Sequence, residues 1–468
     1  MPSKAHDERS VVRMSKRLPK RLVASAVVAI TLVIWYTANF SHPTPENFRP
    51  QDNPLQQPHL PCRELPGANE TLVILRTGST ELRERLPIHL STTLRCYPEY
   101  LIYSDYEETY RGEHIIDALD SVNPNILANH KDFELYRRLK QNGRAGLRDW
   151  ELSGADSEAI QWTGKSENPG WKLDKWKFLP MVNRTFHERP DLKWYVFVEA
   201  DTYILWSSLL KYLSVLDPMK PHYTGSQMFI NGVIFAHGGS GFMLSKPAMQ
   251  LVVDYYAKHK DEFETFTDGH WAGDCVLGKA IVESGTAFTD AWPIMQGDYP
   301  GIVPYARPDG RPIADPNKRE WCYPTVSYHH LSPDVIEDLW NFEQKWIASH
   351  LTRYLLTSGE QNEKIILRHK DVFKQYILPR MSVTTRAEWD SESDRDEGKV
   401  DNAETCRGKC EADRDCKQFS FNDDGTCMTR VDPRLGKSAK GVSSGWLRDR
   451  MLRFEQDMAP CGDEGWLT

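Results

Sequence analysis

The chain has 468 residues, with 58 Lys plus Arg against 66 Asp plus Glu and a formal net charge of −8 with His neutral. At 40% hydrophobic and 26% charged it belongs with folded globular proteins, not with disordered or fibrous ones. The acidic balance excludes the broad basic field of a nucleic-acid binder, and the length fits about two or three domains.

Residues 1–21 carry seven bases (Lys4, Arg9, Arg13, Lys16, Arg17, Lys20, Arg21) against Asp7 and Glu8. Nineteen uncharged residues follow, Leu22 to Phe40, with Trp35 and Tyr36 near the far end. At about 1.5 Å per residue, a helix of that length nearly crosses a bilayer's hydrocarbon core. It exceeds the apolar region of a cleaved signal peptide, about 7 to 15 residues, and no Ala-x-Ala site follows, so an uncleaved transmembrane anchor is expected. The flanking bases place residues 1–21 in the cytosol and the rest across the membrane, as a single-pass type II protein. All nine cysteines lie beyond the anchor, where disulfides are permitted. So do the sequons at Asn69 and Asn183.

Six prolines between Pro43 and Pro61 make residues 41–69 an extended stem. Strand patterns follow at 71–75, 100–104 and 193–198, and helical periodicity at 132–140, 207–216, 247–259 and 276–283. A longer amphipathic helix is predicted from Ser332 to about Leu351, with Pro333 in its first turn. Strands alternating with helices predict an α/β domain with a mostly parallel sheet over residues 70–380. Glu388, Asp390, Glu392, Asp394, Asp396 and Glu397 make 381–399 read as a solvated acidic linker, and residues 400–468 hold five of the nine cysteines.

The chemistry concentrates where the strand Trp194–Val198 ends in Glu199-Ala200-Asp201. In an open α/β sheet, ligands bind beyond the carboxyl ends of the strands. Two carboxylates there suit a hard divalent cation, Mn²⁺ or Mg²⁺, with coordination positions left for phosphate oxygens. An acid-x-acid triplet arises by chance roughly nine times in such a composition, so its place at the end of a strand carries the argument.

Several ordered blocks surround it: Val73 to Gly78, Ile102 to Asp105, Trp176 to Pro180, Gly238-Gly239-Ser240-Gly241, Gly273 to Gly278 and Ser327-Tyr328-His329-His330. Together they resemble glycosyltransferase family 31, the group of the core 1 β-1,3-galactosyltransferases and the fringe enzymes, over residues 70–350. That resemblance implies a GT-A type, Rossmann-like nucleotide-sugar domain. It also implies transfer, with inversion, of a hexose or N-acetylhexosamine, galactose favoured, from a UDP-sugar to a glycan or glycoprotein hydroxyl, with a β-1,3 link. By the same resemblance Glu199, Asp201 and His329 would hold the cation and Asp274 would be the general base. Arg76, Thr77, Asp105, Lys177 and Ala200 would line the donor site, and Gly239, Ser240, Gly241 and Trp271 the acceptor site. Trp171 and Trp176 read as core. Glu199 stands where the family usually has Asp, and Gly273 where an acid often precedes the base, which leaves Asp274 the sole candidate of its block. The implied location is the Golgi membrane, with the catalytic domain lumenal. A rival reading is a membrane-tethered binding protein with an inert transferase-like domain.

Cys406-x₃-Cys410-x₅-Cys416-x₁₀-Cys427 resembles the core of a PAN or apple module, which implies the pairs Cys406–Cys427 and Cys410–Cys416 and a ligand that is protein or carbohydrate. A zinc site is disfavoured because no Cys-x₂-Cys knuckle is present. In the large domain Cys62 is expected to pair with Cys96 and Cys275 with Cys322, leaving Cys461 odd.

Overall fold

The computed structural model describes residues 61–153, 168–306, 320–356, 366–381, 385–458, 460–461 and 465–466. The basic tail, the expected anchor at 22–40 and the stem up to residue 60 lie outside them. Among the described residues no helix is long and apolar enough to cross a membrane.

Twelve strands belong to the α/β region: β1 (Thr71–Arg76), β2 (Glu99–Ser104), β3 (Glu108–Tyr110), β4 (Glu113–Asp117), β5 (Trp194–Glu199), β6 (Tyr203–Ile204), β7 (Tyr223–Gly225), β8 (Gln227–Ile230), β9 (Val233–Ala236), β10 (Phe242–Ser245), β11 (Phe288–Asp290) and β12 (Ser327–Tyr328). Eight of them form one sheet in the order β11-β7-β10-β5-β1-β2-β4-β3. β5, β1, β2 and β4 run parallel, while β10 and β3 run antiparallel to their neighbours, so the sheet is mixed. β1 is buried along its whole length. Its alternate residues divide between two cores: Val73 and Leu75 on one face, Leu72 and Ile74 on the other. Burial on both faces explains why the run is continuously apolar.

The expected strands and helices appear, most with small shifts of boundary, but the helix expected at 247–259 continues past a kink at His259 to Asp268. Helices occupy Glu134–Asn142, Trp206–Ser214, Lys246–Asp268, Gly273–Glu283 and Pro333–Leu356. The helix Pro169–Glu188 starts where the Asn168 side chain accepts the Gly170 N–H at 2.8 Å, with Pro169 in its first turn.

The C-terminal region forms a second sheet, in the order β13-β17-β15-β16-β14, from β13 (Arg386–Asp390), β14 (Arg395–Lys399), β15 (Gln418–Asn422), β16 (Thr426–Arg430) and β17 (Lys437–Trp446). This corrects the reading of 381–399 as a linker. Glu388, Asp390, Asp396 and Glu397 ride on the two edge strands, where charge is tolerated and self-pairing is discouraged, and Glu392 and Asp394 lie in the connection between them. Cys406–Cys427 and Cys410–Cys416 are bonded, as is Cys62–Cys96.

The fourth disulfide joins Cys322 to Cys461, across 139 residues, and Cys275 is a buried free thiol. The expected Cys275–Cys322 pair fails because the two residues sit in different cores. Cys275 packs with Phe235 and Ala272, whereas Cys322 shares an apolar cluster with Leu435, Trp446, Met451 and Phe454 of the C-terminal region. In the chain-entropy picture, closing a loop of that size is worth about 5 kcal/mol.

Candidate active site

In the parallel register of β1 and β5, Arg76 stands opposite Glu199 at the carboxyl ends of both strands. From β1 the chain winds outward to β2 on one side and β5 on the other, so these ends flank the point where the sheet's strand order reverses. The Arg76 guanidinium lies 4.2 Å over the Phe178 ring and donates to both Asp174 and Glu199. Burial opposes its charge, but the two carboxylates outweigh that and raise its pKa. Lys177, 2% exposed, donates to the Thr77 carbonyl at 2.9 Å and sits 3.4 Å from Asp105. Asp105 is fully buried and accepts the Ser79 N–H at 2.9 Å. Arg76, Lys177 and Asp105 are therefore brought together, but buried and already engaged in ion pairs with one another and with Asp174 and Glu199. Asp174, which bridges Arg76 and Lys177, was not anticipated; its position one helical turn before Lys177 was the available signal.

Asp201 follows in the turn after β5. The pairing of β6 with β12 delivers His329 beside it, with His329 Nε2 3.2 Å from Asp201 Oδ1 and 3.8 Å from Glu199 Oε2. The Gly297 carbonyl, 3.3 Å from Nδ1, can only accept, so Nδ1 carries the proton and Nε2 turns toward Asp201. Burial works against a charged His329, yet Asp201 and Glu199 raise its pKa; burial also opposes ionised Asp201, yet His329 lowers its pKa.

Side chains of consecutive extended residues point to opposite faces. His330 escapes that rule through a left-handed backbone, φ 58°, and its ring centroid lies 3.9 Å from that of His329. A carboxylate oxygen of Asp201 and one ring nitrogen from each of His329 and His330 lie within 4.8 Å of one another. One carboxylate and two imidazoles can hold a divalent first-row metal, Mn²⁺ among them, and leave coordination positions for phosphate oxygens. The cluster differs from the expected ligand set. His330 is in it, whereas Glu199 gives one oxygen to Arg76, and burial lifts its carboxyl to about 7 despite that neighbour.

Asp274 lies in the first turn of the helix Gly273–Glu283. Its two oxygens accept the Gly238 and Cys275 N–H groups, both at 2.9 Å. Burial raises its pKa against the pull of these two bonds. A Cβ built at Gly238 would lie 3.2 Å from Glu199 Oε1 and 3.4 Å from Asp274 Oδ2, so the two acids flank a residue that has no side chain.

The acceptor expectation changes for the glycine turn. A Cβ at Gly239 would fall 2.2 Å from the His329 ring, and Gly241 adopts φ 76°. Ser240 is fully buried, its hydroxyl 2.8 Å from His237 Nδ1 and its carbonyl accepting from Ser327 Oγ at 2.6 Å. Gly239, Ser240 and Gly241 thus form the packed floor under His329 instead of a surface for an acceptor.

Trp271 is 56% exposed and stacks on Trp171 with centroids 6.4 Å apart, just before the Asp274 helix. Trp171 is thereby drawn out of its expected core role, while Trp176 is buried and donates to Asp132. Thr77 donates through its hydroxyl to Glu81. Ala200 is buried, its carbonyl 2.9 Å from His89 Nε2.

A carboxylate–imidazole cluster at the switch point of an α/β sheet stands where such sheets bind their ligands. Residues 174–289 match the Fringe-like family model, within glycosyltransferase family 31, and residues 381–437 match the PAN domain model. The first match spans Asp174, Glu199, Asp201, the glycine turn and Asp274. The chain thus carries a Fringe-like, glycosyltransferase-type region followed by a PAN domain, as the sequence blocks implied.

Proposed function

We propose that the protein is a metal-dependent, inverting glycosyltransferase that moves a hexose or N-acetylhexosamine, galactose favoured, from a UDP-sugar to a glycan hydroxyl, forming a β-1,3 link. The observation that carries this is the convergence of Asp201, His329 and His330 at the same strand ends that bring Glu199 and Asp274 to either side of Gly238. Asp201, His329 and His330 would hold Mn²⁺, which when bound offsets charge on the departing diphosphate.

In the reaction the acceptor oxygen bonds to the anomeric carbon as the bond from that carbon to the phosphate oxygen breaks. The acceptor's proton passes to the Asp274 carboxylate, a role typically worth about 10² to 10⁴ in rate. A raised pKa suits that task, and the two backbone donors fix the direction of the carboxylate. Trp271, with Trp171 behind it, offers an apolar face on which a sugar ring of the acceptor can lie. On the sequence argument, the domain stands in the Golgi lumen on a single N-terminal span and a proline-rich stem.

The test is UDP release from a panel of UDP-sugars by the full chain, with and without Mn²⁺. The expected result is Mn²⁺-dependent turnover, together with an Asp274→Asn variant that still binds UDP and Mn²⁺ but turns over at least about a hundredfold more slowly. Equal turnover in that variant removes Asp274 from the mechanism. Glycan binding without turnover under any condition would leave a binding protein.

A further inference from the structure

The PAN region reaches the candidate metal centre through one short loop. The Gly297 carbonyl accepts from His329 Nδ1, and the neighbouring Asp298 carbonyl accepts the His329 backbone N–H, each at 3.3 Å. Three residues on, the Gly301 carbonyl accepts two N–H groups from the connection between β16 and β17: Leu435 at 2.8 Å and Gly436 at 3.1 Å. That connection is itself pinned by two indoles. Trp446 Nε1 donates to the Arg434 carbonyl at 2.8 Å and Trp389 Nε1 to the Leu435 carbonyl at 2.6 Å. With those carbonyls engaged inside the PAN region, the following N–H groups face Gly301. Gly436, at φ 78°, makes the turn; a Cβ there would fall 1.9 Å from the Asp390 carbonyl oxygen. Arg434, Leu435 and Trp446 are nearly fully buried, so the contact is dry and its hydrogen bonds are costly to break.

We propose that Trp389 and Trp446 of the PAN region are positioning residues for the metal centre, acting through residues 434–436 and the loop 297–301 to hold His329 in its ligating orientation. The proposal rests on the metal reading given above. It assigns the C-terminal region a part in the chemistry instead of leaving it a separate recognition module. The partner one step behind a ligating histidine, here the Gly297 carbonyl, typically controls metal affinity by about 10- to 100-fold, and the indoles act on it from further back, so the low end of that range is expected.

The test uses the full chain and the variants Trp389→Phe and Trp446→Phe, which keep a ring and lose the N–H donor. Lys374→Ala, which breaks the ion pair to Glu455 elsewhere on the same interface, is the control. Two readouts apply: Mn²⁺ binding in the presence of UDP, followed by electron paramagnetic resonance, and amide hydrogen exchange over residues 297–301 and 327–330. Both Phe variants are expected to weaken Mn²⁺ binding about tenfold and to speed exchange in these two segments, with the control unchanged. Unchanged exchange and unchanged Mn²⁺ affinity in both overturn the coupling while leaving the metal site intact. Global unfolding of both also overturns it, because the proposed device is local. Absence of Mn²⁺ binding in the parent chain instead overturns the metal reading, and the exchange data still report whether the mechanical link exists.

Discussion

The two sides of the candidate site treat charge differently. On the β1 side, two cations, Arg76 and Lys177, meet three carboxylates, Asp174, Glu199 and Asp105, in a network of direct ion pairs. On the other, Asp201 faces two imidazoles, one of them turned inward by a left-handed residue, and the three converge on one point. The lesson is that an acidic residue next to a candidate metal site is not thereby a ligand. Glu199 and Asp201 are two residues apart, yet the first pairs with Arg76 and the second faces the two imidazoles.

The largest expected effect on stability lies on the β1 side. Arg76→Met leaves Asp174 to Lys177 alone and Glu199 without its guanidinium, and because both acids are partly exposed it should cost about 2 to 3 kcal/mol, less than a fully buried pair, read as a lowered denaturation midpoint. Asp201→Asn removes the carboxylate paired with His329, so it should lower the midpoint by less than Arg76→Met does but weaken Mn²⁺ binding more than about a hundredfold, beyond what loss of an outer partner does. Equal losses of Mn²⁺ affinity in the two variants would erase the distinction between the two sides. Glu199→Gln sharpens it further: a ligand role predicts the same metal loss as Asp201→Asn, whereas the arrangement here predicts a drop of about tenfold, transmitted through Arg76 and His329. The smallest effect is in pH dependence. Burial opposes ionised Asp174, but Arg76 and Lys177 lower its pKa, so its contribution to stability is present above the ordinary carboxylate range and lost on acidification through the lowered value. Arg76→Met should flatten that acid limb of a thermal-melt series.

The β1 and β5 cores could be read from sequence because both faces of those strands are covered and their residues are uniformly apolar. Asp201, His329 and Asp274 were found through motif order. Their mutual geometry was not legible, since it depends on the β6–β12 pairing of two-residue strands too short to leave a periodic signal. The commitment of Glu199 to Arg76 and the fate of Ser240 are matters of strand register and burial between segments far apart in the chain. The backbone flip at His330 has no marker in a plain His-His pair. The edge strands β13 and β14 read as linker because an edge exposed to water needs little apolar content.

The Cys322–Cys461 bond turns everything between those cysteines into a ring. A protease that nicks the backbone once anywhere inside it yields two polypeptides still shackled together, visible as separate bands only after reduction. A single cut therefore sheds the PAN region only when a reductant acts as well, and without one a second cut inside the ring is needed to release it from the transferase-type half.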